Sequence, residues 1–145
     1  MNVSSFEKKI TSIKNIFSSS KSTNEKYKIL IDMGRSLPAF TKKSKIDENI
    51  VEGCQSVVYI NSYCKNGLIY FEAKSDSLIS SGLAYLLIQA YNQESPEIIL
   101  KFPPNFIKEI GIESSLSMNR ANGVYQMYLH MKKQALKFFL QNQKS

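Results

Sequence analysis

Gln55-Ser56-Val57-Val58-Tyr59-Ile60-Asn61-Ser62-Tyr63-Cys64-Lys65-Asn66-Gly67-Leu68-Ile69-Tyr70-Phe71-Glu72-Ala73 reads as a β-hairpin. Gln55–Tyr63 is β-branched and aromatic, and Leu68–Ala73 is a second run of the same kind. Between them, Lys65-Asn66-Gly67 carries the Asn-Gly pair that two-residue turns favour, because both positions need positive φ. The hairpin decides the class of fold, since helical periodicity stands on both sides of it.

Upstream, Phe6, Ile10, Ile13 and Phe17 recur at the spacing of an amphipathic helix, which Ser18-Ser19-Ser20 breaks. Thr23 or Asn24 is placed to cap a second helix with Tyr27, Leu30 and Ile31 inward and Gly34 at its end. Residues 35–49 read as a polar loop. Downstream, Asp76 or Ser75 is placed to cap a helix through Leu78, Ile79, Gly82, Leu83, Leu86, Leu87 and Tyr91. Pro96 then precedes Glu97–Phe102, which reads as a short third strand. A brief helix follows around Asn105–Ile110 and stops at Gly111. The last helix runs from about Arg120 to Leu140. Three strands flanked by helices predict an α+β fold, a three-stranded antiparallel sheet with helices packed against it. One domain over residues 1–145 is expected, and such a length buries enough surface to need no staple.

Composition narrows the function. Two cysteines make no disulfide framework, so a reducing, cytoplasmic setting is expected. No apolar run approaches the ~18 residues of a membrane span. The first twenty residues lack the apolar stretch of a signal peptide and the arginines of a transit peptide, and they read as part of the fold. The net charge of +7 sits entirely in residues 1–45, which hold ten Lys/Arg against three acids. These lysines interleave with apolar positions at helical spacing, which predicts a solvated helix face able to steer an acidic protein partner. Specific nucleic-acid binding is not expected, because few aromatics accompany the basic residues.

The chemistry centres on Val51-Glu52-Gly53-Cys54-Gln55-Ser56. Gly53 tolerates the positive φ of a bend and lets another molecule approach closely, so Cys54 is presented on a loop. A lone cysteine at a strand end is more often a small apolar filler. In an antiparallel pair, however, the start of the first strand neighbours the end of the second, which places Cys54 near Ser75-Asp76. The N-terminus of the following helix, with its unsatisfied N–H groups, would favour a thiolate there. Arg120, in Asn119-Arg120-Ala121-Asn122-Gly123, joins the site if its loop folds back toward Cys54. His130 lies within the long final helix and reads as structural or exposed, not as a catalytic base. Cys54, Cys64 and His130 fall short of a zinc or cluster ligand set, so no metal is expected. Cys64 reads as an incidental thiol.

With these pieces in order, the chain resembles the SufE-type sulfur acceptors of iron–sulfur cluster assembly. The matching residues are Lys26-Tyr27, Gly34, Leu37-Pro38, then Gly53-Cys54-Gln55-Ser56. Ser75-Asp76-Ser77, Gly82-Leu83 and Pro96 follow, and Leu116 through Gly123 completes the set. The resemblance spans about residues 6–136. It departs at Tyr59, where tryptophan is usual, at Ser80-Ser81, at Ser115 and at Met118-Asn119; these changes bear on partner contacts. It implies a fold like the U-type cluster scaffolds and a carrier, not an enzyme in the ordinary sense, needing no cofactor. It implies that Cys54 takes persulfide sulfur from a pyridoxal-phosphate cysteine desulfurase (SufS-like), stimulates that desulfurase, and passes sulfur to a SufBCD-like scaffold complex. Gly53, Gln55, Asp76 and Arg120 are the expected supporting residues, on a loop that rests against an apolar pocket and swings out on docking. A monomer or weak homodimer is expected. The alternatives are a CsdE-like acceptor feeding another sulfur route, or a non-enzymatic adaptor docking through its basic face.

Overall fold

In a computed structural model describing residues 2–143, the hairpin is β1 (Val58–Lys65) and β2 (Leu68–Ser75), paired antiparallel from Val58↔Ser75 to Lys65↔Leu68. Asn66 and Gly67 take φ of 54° and 78°, the double positive φ that the Asn-Gly pair predicts. The expected third strand is absent: residues 96–101 form a helix. Pro96 sits in its first turn, where the missing N–H costs nothing and the fixed φ suits a helix, and Ile98 and Ile99 are buried there. The sheet therefore has two strands, extended on each side by a single bridge, Ile50↔Tyr59 and Ile69↔Glu94. The α+β class holds.

Helices α1 (Ser4–Phe17) and α2 (Thr23–Arg35) precede the hairpin. After it come α3 (Leu78–Tyr91), α4 (Pro96–Lys101), α5 (Phe106–Glu109) and α6 (Met118–Gln143). The caps lie beside the expected ones. Ser22, not Thr23 or Asn24, accepts the Glu25 N–H at the start of α2, and Ser77, not Asp76 or Ser75, accepts the Ser80 N–H at the start of α3. The 35–49 loop contains two 3-10 turns, Lys42–Ser44 and Asp47–Asn49.

Helix α3 is buried nearly all round and forms the centre of the core. Each large aliphatic side chain such as Leu83, Leu86 or Leu87 that it withdraws from water contributes roughly 1.5–3 kcal/mol. Tyr91 stacks on Phe6 at 5.4 Å and donates its hydroxyl to the Phe102 carbonyl at 2.6 Å, so the ring is buried without an orphaned polar atom. Helix α6 is tied to α4 by the Tyr128 hydroxyl on the Ile99 carbonyl, 2.7 Å. Gly34 was expected to end α2 but lies inside it. A Cβ there would stand 2.8 Å from the Gly82 nitrogen, so the glycine serves the close crossing of α2 over α3.

The basic N-terminal region is partly engaged within the fold. Lys9 pairs with the buried carboxylate of Glu94 at 2.5 Å and also meets the Asn92 carbonyl, while Lys14 pairs with Glu109. Among the described residues, no helix is long and apolar enough to cross a membrane.

Candidate functional site

The cysteine loop is closed at its base. Val51 and Val58 are both buried, and the Val51 N–H donates to the Val58 carbonyl at 2.8 Å, leaving residues 52–57 as a short loop on a fixed stem. Gly53 within it has φ +85°, a conformation that side-chain-bearing residues rarely adopt. Its α-carbon rests on α6: a Cβ there would lie 3.0 Å from Cγ of Gln126. The next residue, Cys54, is half-buried, and its thiol donates to the Gly123 carbonyl of α6 at 3.6 Å.

Around the sulfur lies a narrow cleft of about 10 Å³, walled by Gln55, Ser80, Leu83, Asn119, Arg120 and Met127, with Ser56 and Gly123 completing it. Three sequence segments thus meet: the cysteine loop, the first turns of α3, and the first turns of α6. Gln55 is exposed at the rim and Arg120 is half-buried. Asp76 is exposed and stands outside the cleft lining; its place at the start of α3 is taken by Ser77, and the first turn reaches the cleft through Ser80. Sequence reading missed Ser80 and Leu83 as walls and Gln126 as the support behind Gly53. The Ser80-Ser81 departure was the available signal for the first of these.

Burial alone pushes the Cys54 thiol above its ordinary value of 9.0. The fold therefore favours the neutral thiol, which can donate to Gly123, over a thiolate that would be half-buried against a carbonyl oxygen. A group raised in this way contributes stability that is complete below its unfolded value and lost as pH rises through its folded value. Alkylation of Cys54 by iodoacetamide should accordingly titrate with a midpoint above 9.0 in the free protein; a midpoint below that value would mean that the closed loop is not the dominant state.

Gly123 sets the depth of the cleft. A Cβ there would lie 3.7 Å from the Cys54 sulfur, which is ordinary contact, but any longer side chain must compete with the thiol for the same space. Gly123→Leu should keep α6 intact, since leucine is the better helix former, and drive the loop outward. Alkylation at neutral pH should then quicken about tenfold, equivalent to ~1.4 kcal/mol of lost docking. An unchanged rate would show that the loop does not rest on Gly123.

His130, expected to be structural or exposed, is partly buried against β1. Its Nε2 lies 3.1 Å from the Ile60 carbonyl of β1, and burial, the largest cause, holds the ring below its ordinary 6.5. The stability linked to it is present above 6.5 and is lost as pH falls through the depressed value. Among the described residues, no three His, Cys, Asp or Glu side chains gather as a metal site. Cys64 lies on β1 opposite Ile69, at the hairpin-turn end of the strand, and both cysteines are free.

Comparison with known proteins gives this geometry a family. The family model described as the Fe-S metabolism associated domain, SufE, matches residues 11–135. A SufE-like protein of Synechocystis is 35% identical over 116 residues, covering 80% of this chain and 73% of that protein. SufE-like protein 1, chloroplastic/mitochondrial, of Arabidopsis thaliana is 34% identical, covering 88% of this chain and 35% of that protein. The cysteine desulfuration protein SufE of Plasmodium falciparum is 40% identical over 99 residues, covering 65% and 40%. The chain thus spans well under half the length of the Arabidopsis and Plasmodium relatives. The solution structure of a hypothetical protein from Thermus thermophilus shares the fold, with a TM-score of 0.75 at 21% identity, covering 89% of this chain and 94% of that one. With the family model spanning the cysteine loop, the hairpin and the start of α6 together, the chain belongs to the SufE family.

Proposed function

We propose that the protein is a sulfur acceptor that receives persulfide sulfur on Cys54 from a pyridoxal-phosphate cysteine desulfurase and delivers it to an iron–sulfur scaffold. The carrying observation is a half-buried thiol that, among the described residues, hydrogen-bonds the Gly123 carbonyl, on a loop that takes positive φ at Gly53 and is clamped at its base. Such a thiol is protected at rest and needs only a loop movement to be presented.

The transfer is a thiol–disulfide type exchange. The Cys54 thiolate attacks the terminal sulfur of the donor persulfide, the Cys54–sulfur bond forms, and the donor's own sulfur–sulfur bond breaks. The donor leaves as a thiolate and the proton stays on the transferred sulfur, so no external oxidant or reductant is consumed. In the closed loop the thiol is held neutral, so attack requires the loop to open; docking of the desulfurase would select that open form. The cleft's ~10 Å³ is about the space of one water. A terminal sulfur atom is larger, so sheltering the persulfide requires the walls or the loop to yield.

Arg120 is the cation nearest in kind to this task. It lines the cleft, and among the described residues no carboxylate forms an ion pair with it. A hydrogen bond from its guanidinium to a sulfur anion is worth roughly 1.5–3 kcal/mol. Arg120→Ala should slow sulfur acceptance by about 10- to 100-fold on that basis while leaving the melting temperature nearly unchanged. Arg120→Lys should restore part of the rate. Unchanged transfer in Arg120→Ala would remove the residue from the site.

The decisive experiment incubates the protein with a SufS-like desulfurase and cysteine. Intact mass should rise by one sulfur atom, and alkylation mapping should place it on Cys54 and not on Cys64. Sulfur on Cys64, or none on either, overturns the proposal.

A further inference from the structure

Beside the cysteine loop, the outer edge of β1 is only half used. The Val58 carbonyl accepts from Val51, and the Ile60 carbonyl faces His130 and Gln134, so even-numbered residues of β1 turn their main-chain groups away from β2. The two-residue turn gives the same parity, because the closing pair Lys65↔Leu68 bonds within the hairpin and the alternation runs back from it. Ser62 and Cys64 therefore present N–H and C=O groups to an edge that no strand among the described residues covers.

At Ser62 that edge opens onto a groove of about 590 Å³ between the 46–52 segment, β1 and α6, with Cys64 one pairing position beyond it. One wall is acidic, with Asp47, Glu48 and Glu52; the other is basic, with Lys133 and Lys137. The opposed charges meet at His130, on which Glu52 and Lys133 act in opposite senses. Ile46 and Leu129 line the same groove and are 46% and 36% exposed. The groove also holds an unmet polar demand. Gln134 donates its amide to the Ile60 carbonyl at 3.1 Å, leaving its buried Oε1 without a partner, and turning the amide over only exchanges which atom is orphaned.

We propose that this edge and groove form a docking site for an extended segment of a partner protein, added as a strand on Ser62 and Cys64, with an acidic and a basic side chain at successive groove-facing positions. Main-chain pairing supplies the affinity common to strand addition, and side chains at every second residue, about 7 Å apart, supply the choice. Opposed walls select a segment carrying both signs: a lysine or arginine toward Asp47, Glu48 and Glu52, a carboxylate toward Lys133 and Lys137. A small ion would leave the strand edge unused. The inference does not depend on the sulfur-acceptor reading, because its test measures binding alone.

The test titrates the ¹⁵N-labelled full chain with the blocked hexapeptide acetyl-Thr-Glu-Val-Lys-Val-Thr-amide, and in parallel with a neutral version carrying Gln in place of Glu and Lys. Saturable shifts and slowed exchange at the Ser62 and Cys64 amides, with the charged peptide binding about tenfold more tightly, are expected. The exposed-face double variant Lys133→Glu, Lys137→Glu should lose that preference while keeping its melting temperature. Equal binding of the two peptides, shifts confined to other surfaces, or no saturable shift at millimolar peptide would each overturn the proposal.

Discussion

Cys54→Ser should abolish sulfur acceptance while leaving the fold almost untouched. The thiol is half-buried, and its one polar contact is the 3.6 Å bond to the Gly123 carbonyl. A serine hydroxyl can make the same bond after a small adjustment of the loop, whose stem at Val51 and Val58 is independent of residue 54. Substitutions of that kind cost within about 1 kcal/mol, so urea or thermal unfolding should barely move. Chemistry is different, because a serine oxygen forms no persulfide. Cys64→Ser is the control: that residue lies at the turn end of β1 and should accept no sulfur in either background. A Cys54→Ser protein that still gains one sulfur atom would refute the assignment; a Cys64→Ser protein that loses acceptance would redirect it.

Much of this site was legible because its members are short, local signals. Gly53 before Cys54 announces a bend, and the structure places it at φ +85°. Arg120 and Gly123 open α6, and the two sit on one side of its first turns, where they reach the cleft. Asp76 was legible as a helix-start residue, and there the inference stopped one position short: Ser77 takes the cap and Asp76 is left in solvent. Cap position within a Ser-Asp-Ser run is a matter of a single φ/ψ choice, which composition does not fix. Gln126, Ser80 and Leu83 carry no local mark, since each matters only through what the folded chain brings against it.

The fold divides in the same way. Asn66-Gly67 specifies its turn by itself, so the hairpin and its register follow from the sequence. Ile98-Ile99-Leu100 does not specify a strand, because a short buried apolar run satisfies either period. Pro96, whose fixed φ suits the first turn of a helix, tips the run toward helix. No third strand adds to the outer edge of β2 among the described residues; the turn at 92–94 meets it instead, where Gln93 donates to Ile69 at 2.7 Å and Ile69 donates to Glu94 at 2.8 Å. Gly34 was read as a helix end and Gly82 only as one residue of a helix, whereas the role of both is space.

The second large effect concerns one of them. Gly82→Ala should destabilise the protein by about 3 kcal/mol or more, which for a chain of this size lowers the melting temperature by roughly 10 °C. An alanine Cβ at position 82 would stand 2.1 Å from the Leu30 carbonyl oxygen and 2.7 Å from its carbon. Those atoms belong to the backbone of α2, so no rotamer change relieves the overlap; the two helices must separate. Leu30 is fully buried, and separation opens the core around it. Helix propensity acts in the other direction, favouring alanine over glycine by up to about 1 kcal/mol, and is outweighed. Gly123→Ala isolates that opposing effect. It too is a helical glycine, but its Cβ would meet only the Cys54 sulfur at 3.7 Å, so it should stabilise by roughly 0.5–1 kcal/mol. Because Ser80 and Leu83 flank Gly82 on α3 and wall the cleft, Gly82→Ala should also loosen Cys54 and hasten its alkylation. Measured side by side in urea, the two variants should move in opposite directions. If Gly82→Ala matched Gly123→Ala, the helices would be farther apart than the crossing described here.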